Sequence, residues 1–287
     1  MIESFLSSWA LFHNTYLAGW LIGLLLSLVG VLVVARDQIF LGAAVSQAST
    51  LGIALAMWIG AWSAAHSLSW FRSDAFLSLM AVVFSVLAAL LTGPGGETEG
   101  ESHEALTGWV FLASGSLSIL IVSHSPHGLE EIHRLLASSI IGATGEDVWA
   151  FGALAGLTAL AIWAAHRRLV LFAMDPVMAA AVGMRTTRWA ALASGCLGLA
   201  VGLSIRTSGM LYTFGCLVLP ALVAKNLCRE VRPMFVVAPL VAVGTGAVGF
   251  VLANHYDFPP AQMTVALLSL LLTVAWLVPR MRRRAMR

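Results

Sequence analysis

Residues 36–60 read RDQIFLGAAVSQASTLGIALAMWIG, and this stretch decides the fold. From Ile39 onward it is apolar over a length that crosses a bilayer as a helix, which takes about 20 residues. Inside it stand Ser46, Gln47, Ser49 and Thr50, polar groups that are costly in hydrocarbon and are kept there for a reason. Ala44, Ala48, Gly52, Ala56 and Gly60 recur at every fourth position and strip one helix face of bulk, so that another backbone can press against it. Ala43, Gln47 and Thr50 form a distinct face. A helix with one tight and one polar side predicts the wall of a translocation path, although a glutamine here also fits a plain interhelical hydrogen bond worth about 1 kcal/mol.

The rest of the chain has the same character. Its 287 residues are 59% hydrophobic and 10% charged, too apolar to cover a globular surface. The class is an all-α polytopic membrane protein with room for roughly eight to ten helices in a single transmembrane domain, residues 1–287. Nine spans are predicted, at 15–35, 40–62, 75–91, 106–122, 148–165, 189–205, 210–224, 235–252 and 263–278. A net charge of +2 gives no argument for nucleic acid. Cys196, Cys216 and Cys228 lack metal-ligand spacing and read as small core residues.

Lys and Arg set the orientation. The tail with Arg280, the connection from Lys225 to Arg232 and the connection from His166 to Arg188 are basic and fall on one side of a nine-span arrangement, which makes them and the C-terminus cytoplasmic. The N-terminus then lies outside and is expected to stay, since it lacks the basic start and cleavage site of a removable signal.

There is a faint internal repeat, of a strength that any two apolar helices can share by chance. An apolar arm ending at Arg36 leads into the polar second span, and an arm ending at Arg206 leads into SGMLYTFGCLVLPALVAKN. Ser46 then corresponds to Cys216, Thr50 to Pro220 and Ala54 to Ala224, with the two copies inverted, the arrangement by which transporters place a site between halves. The path residues are therefore Ala43, Ser46, Gln47, Thr50, Thr213, Cys216 and Pro220, the proline interrupting the seventh span so that carbonyls can line a cavity.

Catalysis has little support. The chain carries no HExxH, no GxSxG and almost no ionisable group within the spans, and it has no phosphate-binding GxxxxGK[ST] loop. A gradient-driven carrier would show carboxylates in its spans. Their scarcity points to energy from another subunit.

Six segments follow one another with a familiar order and spacing: GVLVVARDQIFLGAAVSQASTLGIA, HEALTGWVFLASGSLSILI, HGLEEIHRLLASSIIGATGEDVW, MDPVMAAAVGM, SGMLYTFGCLVLPALVAKN and NHYDFPPAQMTV. Together they resemble the membrane permease subunits of zinc-, manganese- and iron-type ATP-binding-cassette importers, and the resemblance covers nearly the whole chain. It implies a type II importer-like permease in the bacterial cytoplasmic membrane. It also implies a homodimer, two copies of a separate ATPase that binds ATP, an extracytoplasmic metal-binding protein, a metal ion as cargo and no tightly bound cofactor.

Within that resemblance Asp175, Pro176, Ala179, Ala180 and Gly183 form a short helix that docks on the ATPase. Asp175 followed by Pro176 is itself a helix start, and Gly183 a stop. The departure lies in the second span. Transition-metal members carry an acidic residue and a histidine four apart in a pattern like G-D-x-x-S-H-A, whereas here Ala43 and Gln47 hold those positions. An alanine offers no ligand and an amide oxygen a weak one for the softer ions. The cargo is then carried as a chelate, released in a more hydrated form, or is not a transition metal.

His127, Glu130, Glu131 and His133 cluster outside the membrane in this topology and form a candidate entry site for a metal. An amphipathic interfacial helix with Leu129, Ile132, Leu135 and Leu136 packed inward explains the same pattern and fits it better. His255 and Asp257 could face the outer vestibule, but a turn set by Pro259 and Pro260 is the simpler reading. Two alternatives complete the set: a permease of the siderophore or cobalamin type, which needs no ligands in the second span, and, from another class, an intramembrane enzyme or scaffold protein.

Overall fold

In hydrocarbon a backbone can satisfy its polar groups only within itself, and the apolar runs of this chain do so as helices. The computed structural model describes residues 2–61, 69–93, 103–123 and 140–285. Its helices are α1 (Ile2–Ala35), α2 (Ile39–Ala61), α3 (Asp74–Thr92), α4 (His103–Ser123), α5 (Gly145–Met174), α6 (Pro176–Ala181), α7 (Thr186–Leu227), α8 (Val231–Tyr256) and α9 (Pro260–Ala285). Among the described residues, eight of them are long and apolar enough to cross a membrane.

The predicted sixth and seventh spans lie within one 42-residue helix, α7, which leaves helical geometry at Gly209 (φ 74°, ψ 170°). At about 1.5 Å per residue α7 has twice the length that a hydrocarbon core of about 30 Å requires. Gly209 supplies the positive φ that other residues adopt only under strain, and it divides α7 into arms 186–208 and 210–227. Elsewhere the ends follow local chemistry. Ser73 accepts the Phe76 amide at 3.3 Å to start α3, Pro260 opens α9, and Asp257 closes α8 in the left-handed region.

The chain divides into two compact units. The first comprises Met1–Asp37, Ser139–Met174 and Gly215–Arg287, and the second Gln38–Ser138 and Asp175–Phe214. In the first, α1 packs on α5 and runs antiparallel along α8, which also packs on α9. Tyr16 donates to the Asn254 side chain at 3.4 Å, Phe250 covers Gly19, and Trp20 lies over Gly246. In the second, α2 packs on α3 and α4. The arm 186–208 runs antiparallel along α3: Ser194 lies at Gly93, Gly198 at Val86, Gly202 at Val82, and Arg206 reaches Asp74 at 3.9 Å.

This partition follows the sequence repeat. Each unit combines the arm of one copy (α1, or 186–208) with the three helices that follow the arm of the other. In both units the arm lies antiparallel on the second of those three helices, α8 or α3. Two weakly similar stretches thus pack in equivalent ways.

Candidate translocation site

The tight face of α2 behaves as its spacing predicts. Ala44, Ala48 and Ala56 are buried, as are Gly52 and Gly60. The place of a Cβ on Gly52 is taken by the Met80 carbonyl, with the Phe84 Cβ at 3.1 Å, so α3 rests directly on the α2 backbone. Small residues permit that approach, and the packing it allows holds helices together where no hydrophobic force operates.

The polar face divides in two. Ser46 donates to the Gly42 carbonyl at 2.8 Å and Thr50 to the Ser46 carbonyl at 3.1 Å, both hydroxyls turned onto their own helix. The Ser49 hydroxyl is buried and, among the described residues, makes no hydrogen bond. Gln47, one residue beyond Ser46, reaches outward: its Nε2 donates to the Met210 sulfur at 3.4 Å, and its amide lies over Gly115 of α4. Ala43, one turn away, is buried at 8% exposure. The second unit thus carries an amide where the sequence pattern leads one to expect an imidazole, and a methyl group where it leads one to expect a carboxylate.

Thr213, Cys216 and Pro220 are all buried on α7. Thr213 comes within 3.1 Å of the Ser208 hydroxyl. In a continuous helix residues five apart lie on well-separated faces, so this contact exists because the helix is broken at Gly209 between them. Pro220 has no amide proton to give the Cys216 carbonyl four positions earlier. Met210 and Gly115 were not predicted as neighbours of Gln47. The available signal was Gly209, a glycine after Ser208 in an apolar run, which marks where the chain turns Met210 toward α2.

The predicted outer residues His127, Glu130, Glu131 and His133 lie outside the described residues. Among the described residues no three His, Cys, Asp or Glu side chains converge as a metal site. His255 stacks edge-on against Tyr256 at 4.8 Å, and Asp257 lies in the left-handed turn before Pro259 and Pro260, as the turn reading expects.

The short helix after α5 forms as its sequence dictates. Asp175 accepts the Met178 amide at 2.8 Å, Pro176 occupies the first turn, and α6 ends at Gly183 with φ +82°. The Gly183 amide returns to the Ala180 carbonyl at 2.9 Å and the Met184 amide to Ala179 at 3.0 Å, closing the helix in a Schellman-like turn. Ala179 is fully buried and anchors the helix, whereas Val177 and Val182 are 80% and 61% exposed. Val177 on α6, Val182 just past its end and Ala180 between them are exposed and form an apolar patch.

The end of α1 adds a charged corner to the first unit. Arg36 stacks on the Phe172 ring at 4.4 Å, and its burial lowers the guanidinium from its ordinary value without removing its charge. Asp37 sits at φ 54° and accepts from Lys225 Nζ at 2.7 Å. The arm 210–227 therefore ends beside the end of α1, and Leu217 lies over Gly30.

Comparison with known proteins places these features. Over 271 residues, 94% of this chain and 88% of the other, the sequence is 23% identical to the manganese transport system membrane protein MntC of Halalkalibacterium halodurans. It is 23% identical to the chelated iron transport system membrane protein YfeD of Yersinia pestis, over 88% of this chain and 80% of that one. The fold matches a chain of PsaBC from Streptococcus pneumoniae, solved in complex with a Fab, with a TM-score of 0.79 over 96% of this chain and 95% of that one, at 18% identity. Residues 8–279 match the family described as ABC 3 transport, and the chain belongs to that family.

Proposed function

We propose that this permease subunit imports a transition metal ion, manganese, iron or zinc, or its chelate, across the bacterial cytoplasmic membrane. It works as one domain and as a dimer of identical subunits, on a separate ATPase that supplies the energy, and receives cargo from a metal-binding protein outside. As a member of a transport family the chain is a permease and not an enzyme. The observation that carries the cargo assignment is the end-to-end similarity to permeases named for manganese and chelated iron.

The path runs along the polar face of α2 and the broken helix α7: Ala43, Ser46, Gln47, Thr50, Thr213, Cys216 and Pro220. Asp175, Pro176, Ala179, Ala180 and Gly183 present α6 to the ATPase. The C-terminus is cytoplasmic and the N-terminus is outside, where the stretch with His127, Glu130, Glu131 and His133 suits an interfacial helix better than a metal entry site. A second form of the cargo is favoured by one specific feature: Ala43 and Gln47 carry neither carboxylate nor imidazole, so an ion still wrapped in its own chelator suits this wall better than a bare one.

Uptake tests the reading. The chain, co-purified with its ATPase and reconstituted in liposomes containing a metal-sensitive dye, should take up Mn2+, Fe2+ or Zn2+, free or chelated, only when ATP is supplied. Purification without an ATPase, or ATP-independent uptake, would contradict it.

A further inference from the structure

We infer that the second unit holds a cation-passing station of neutral oxygen donors on α7, formed by Ser204, Thr207, Ser208 and Thr213 around the Gly209 break. This rests on the metal-transport reading and adds to it a site distinct from the polar face of α2.

Ser204, Thr207 and Ser208 are spaced i, i+3, i+4 and so form one contiguous patch. Thr213 joins them across the break, 3.1 Å from Ser208. At about 100° per residue this patch is turned away from Gly198, Gly202 and Arg206, which face α3. All four are buried, none more than 8% exposed.

Serine and threonine in a helix ordinarily turn their hydroxyl back onto a carbonyl one turn earlier, as Ser46, Thr50, Thr92, Thr107 and Ser208 do here. Ser204 and Thr207 do not. Both hydroxyls are buried and, among the described residues, meet no hydrogen-bond partner, although each has a helix behind it. A buried hydroxyl that takes no local carbonyl is destabilising unless something polar meets it. The chemistry that suits a patch of four neighbouring buried hydroxyl residues without a carboxylate is a cation keeping part of its water shell, bound loosely enough to move on. Met210, next to the break, links the station's edge to Gln47 on α2.

The test compares the reconstituted transporter carrying the unaltered chain with three variants: Ser204→Ala with Thr207→Val, Ser204→Thr with Thr207→Ser, and Ser204→Cys. Initial Mn2+ uptake at subsaturating concentration, basal ATPase rate and melting temperature are measured for each. The first pair should lower uptake about fivefold or more without lowering the melting temperature, while the hydroxyl-conserving pair retains most of it. Ser204→Cys introduces a soft ligand and should make uptake newly sensitive to block by Cd2+. Equal uptake in the first pair, or Cd2+ sensitivity no greater than in the unaltered chain, overturns the station while the metal-transport reading stands. Absence of Mn2+, Fe2+ and Zn2+ uptake by the unaltered transporter overturns that reading, and the station with it.

Discussion

The Gln47 side-chain nitrogen lies 3.4 Å from the sulfur of Met210, the first residue beyond the Gly209 break. A thioether is a weak acceptor, so packing between Gly115 and Met210 holds the amide more than the hydrogen bond does. Position 47 is thus occupied by a group that neither binds a softer ion tightly nor changes charge with pH.

Restoring the pair should restore retention. Ala43 and Gln47 are one turn apart on the same face, so Ala43→Asp with Gln47→His places two ligands side by side. The double variant is expected to keep about one Zn2+ per chain through gel filtration, where the unaltered chain keeps none, and to transport more slowly because the ion leaves reluctantly. Metal content of the eluted protein and uptake rates check this. A double variant as empty as the unaltered chain would show that the face is not accessible to the ion.

Close backbone packing in the second unit makes a stability prediction. A Cβ on Gly198 would lie 2.6 Å from the Val86 Cα, whereas one on Gly195 would meet nothing within 4 Å. Gly198→Ala should therefore cost about 1–3 kcal/mol through overpacking, and Gly195→Ala should be neutral or mildly stabilising. Thermal unfolding of the two variants in the same detergent separates them, since both make the same chemical change on the same helix.

At the corner where α1 ends, Asp37 does two jobs of unequal weight. Its ion pair with Lys225 is exposed, with side-chain exposures of 80% and 47%, and such pairs contribute about 0–1 kcal/mol. Its left-handed backbone at φ 54° is tolerated by Asp and Asn and strains a β-branched residue. Lys225→Met should move the melting temperature little and Asp37→Asn hardly more, while Asp37→Val costs about 1–3 kcal/mol. Equal effects of the Asn and Val variants would place the weight on charge instead.

Periodicity carried most of the fold because a span has to be apolar on whichever faces it buries or shows to lipid, and small residues at every fourth position of α2 could serve only close packing. The ends were less legible. α5 continues through His166, Arg167 and Arg168 to Met174, because the backbone keeps its own hydrogen bonds past the point where the side chains become polar. The division of α7 was legible at Arg206 and Gly209, which read as a boundary between spans, and the chain does leave helical geometry at Gly209, although without a connecting loop. At the site, a pattern of residue types named Gln47 but not its contacts. Met210 and Gly115 come from other helices, and nothing local specifies which helix α2 will meet.

Asp175 caps a helix of only six residues, too short to persist by propensity, so the 2.8 Å bond to the Met178 amide and the turn at Gly183 carry its stability. Removing the cap in Asp175→Ala should cost about 0.5–2 kcal/mol, felt within α6 because the segment is exposed and the long helices do not depend on it. The overall melting temperature should stay close to that of the unaltered chain, while the proposed docking of α6 on the ATPase predicts a several-fold fall in ATP-driven uptake once the cap is lost. Asp175→Asn or Asp175→Ser, which retain a capping oxygen, should recover most of the uptake. The measurement is the ratio of metal taken up to ATP hydrolysed in proteoliposomes: a lower ratio in the alanine variant, restored by asparagine, ties the cap to coupling, whereas an unchanged ratio would mean that α6 does not transmit the ATPase stroke.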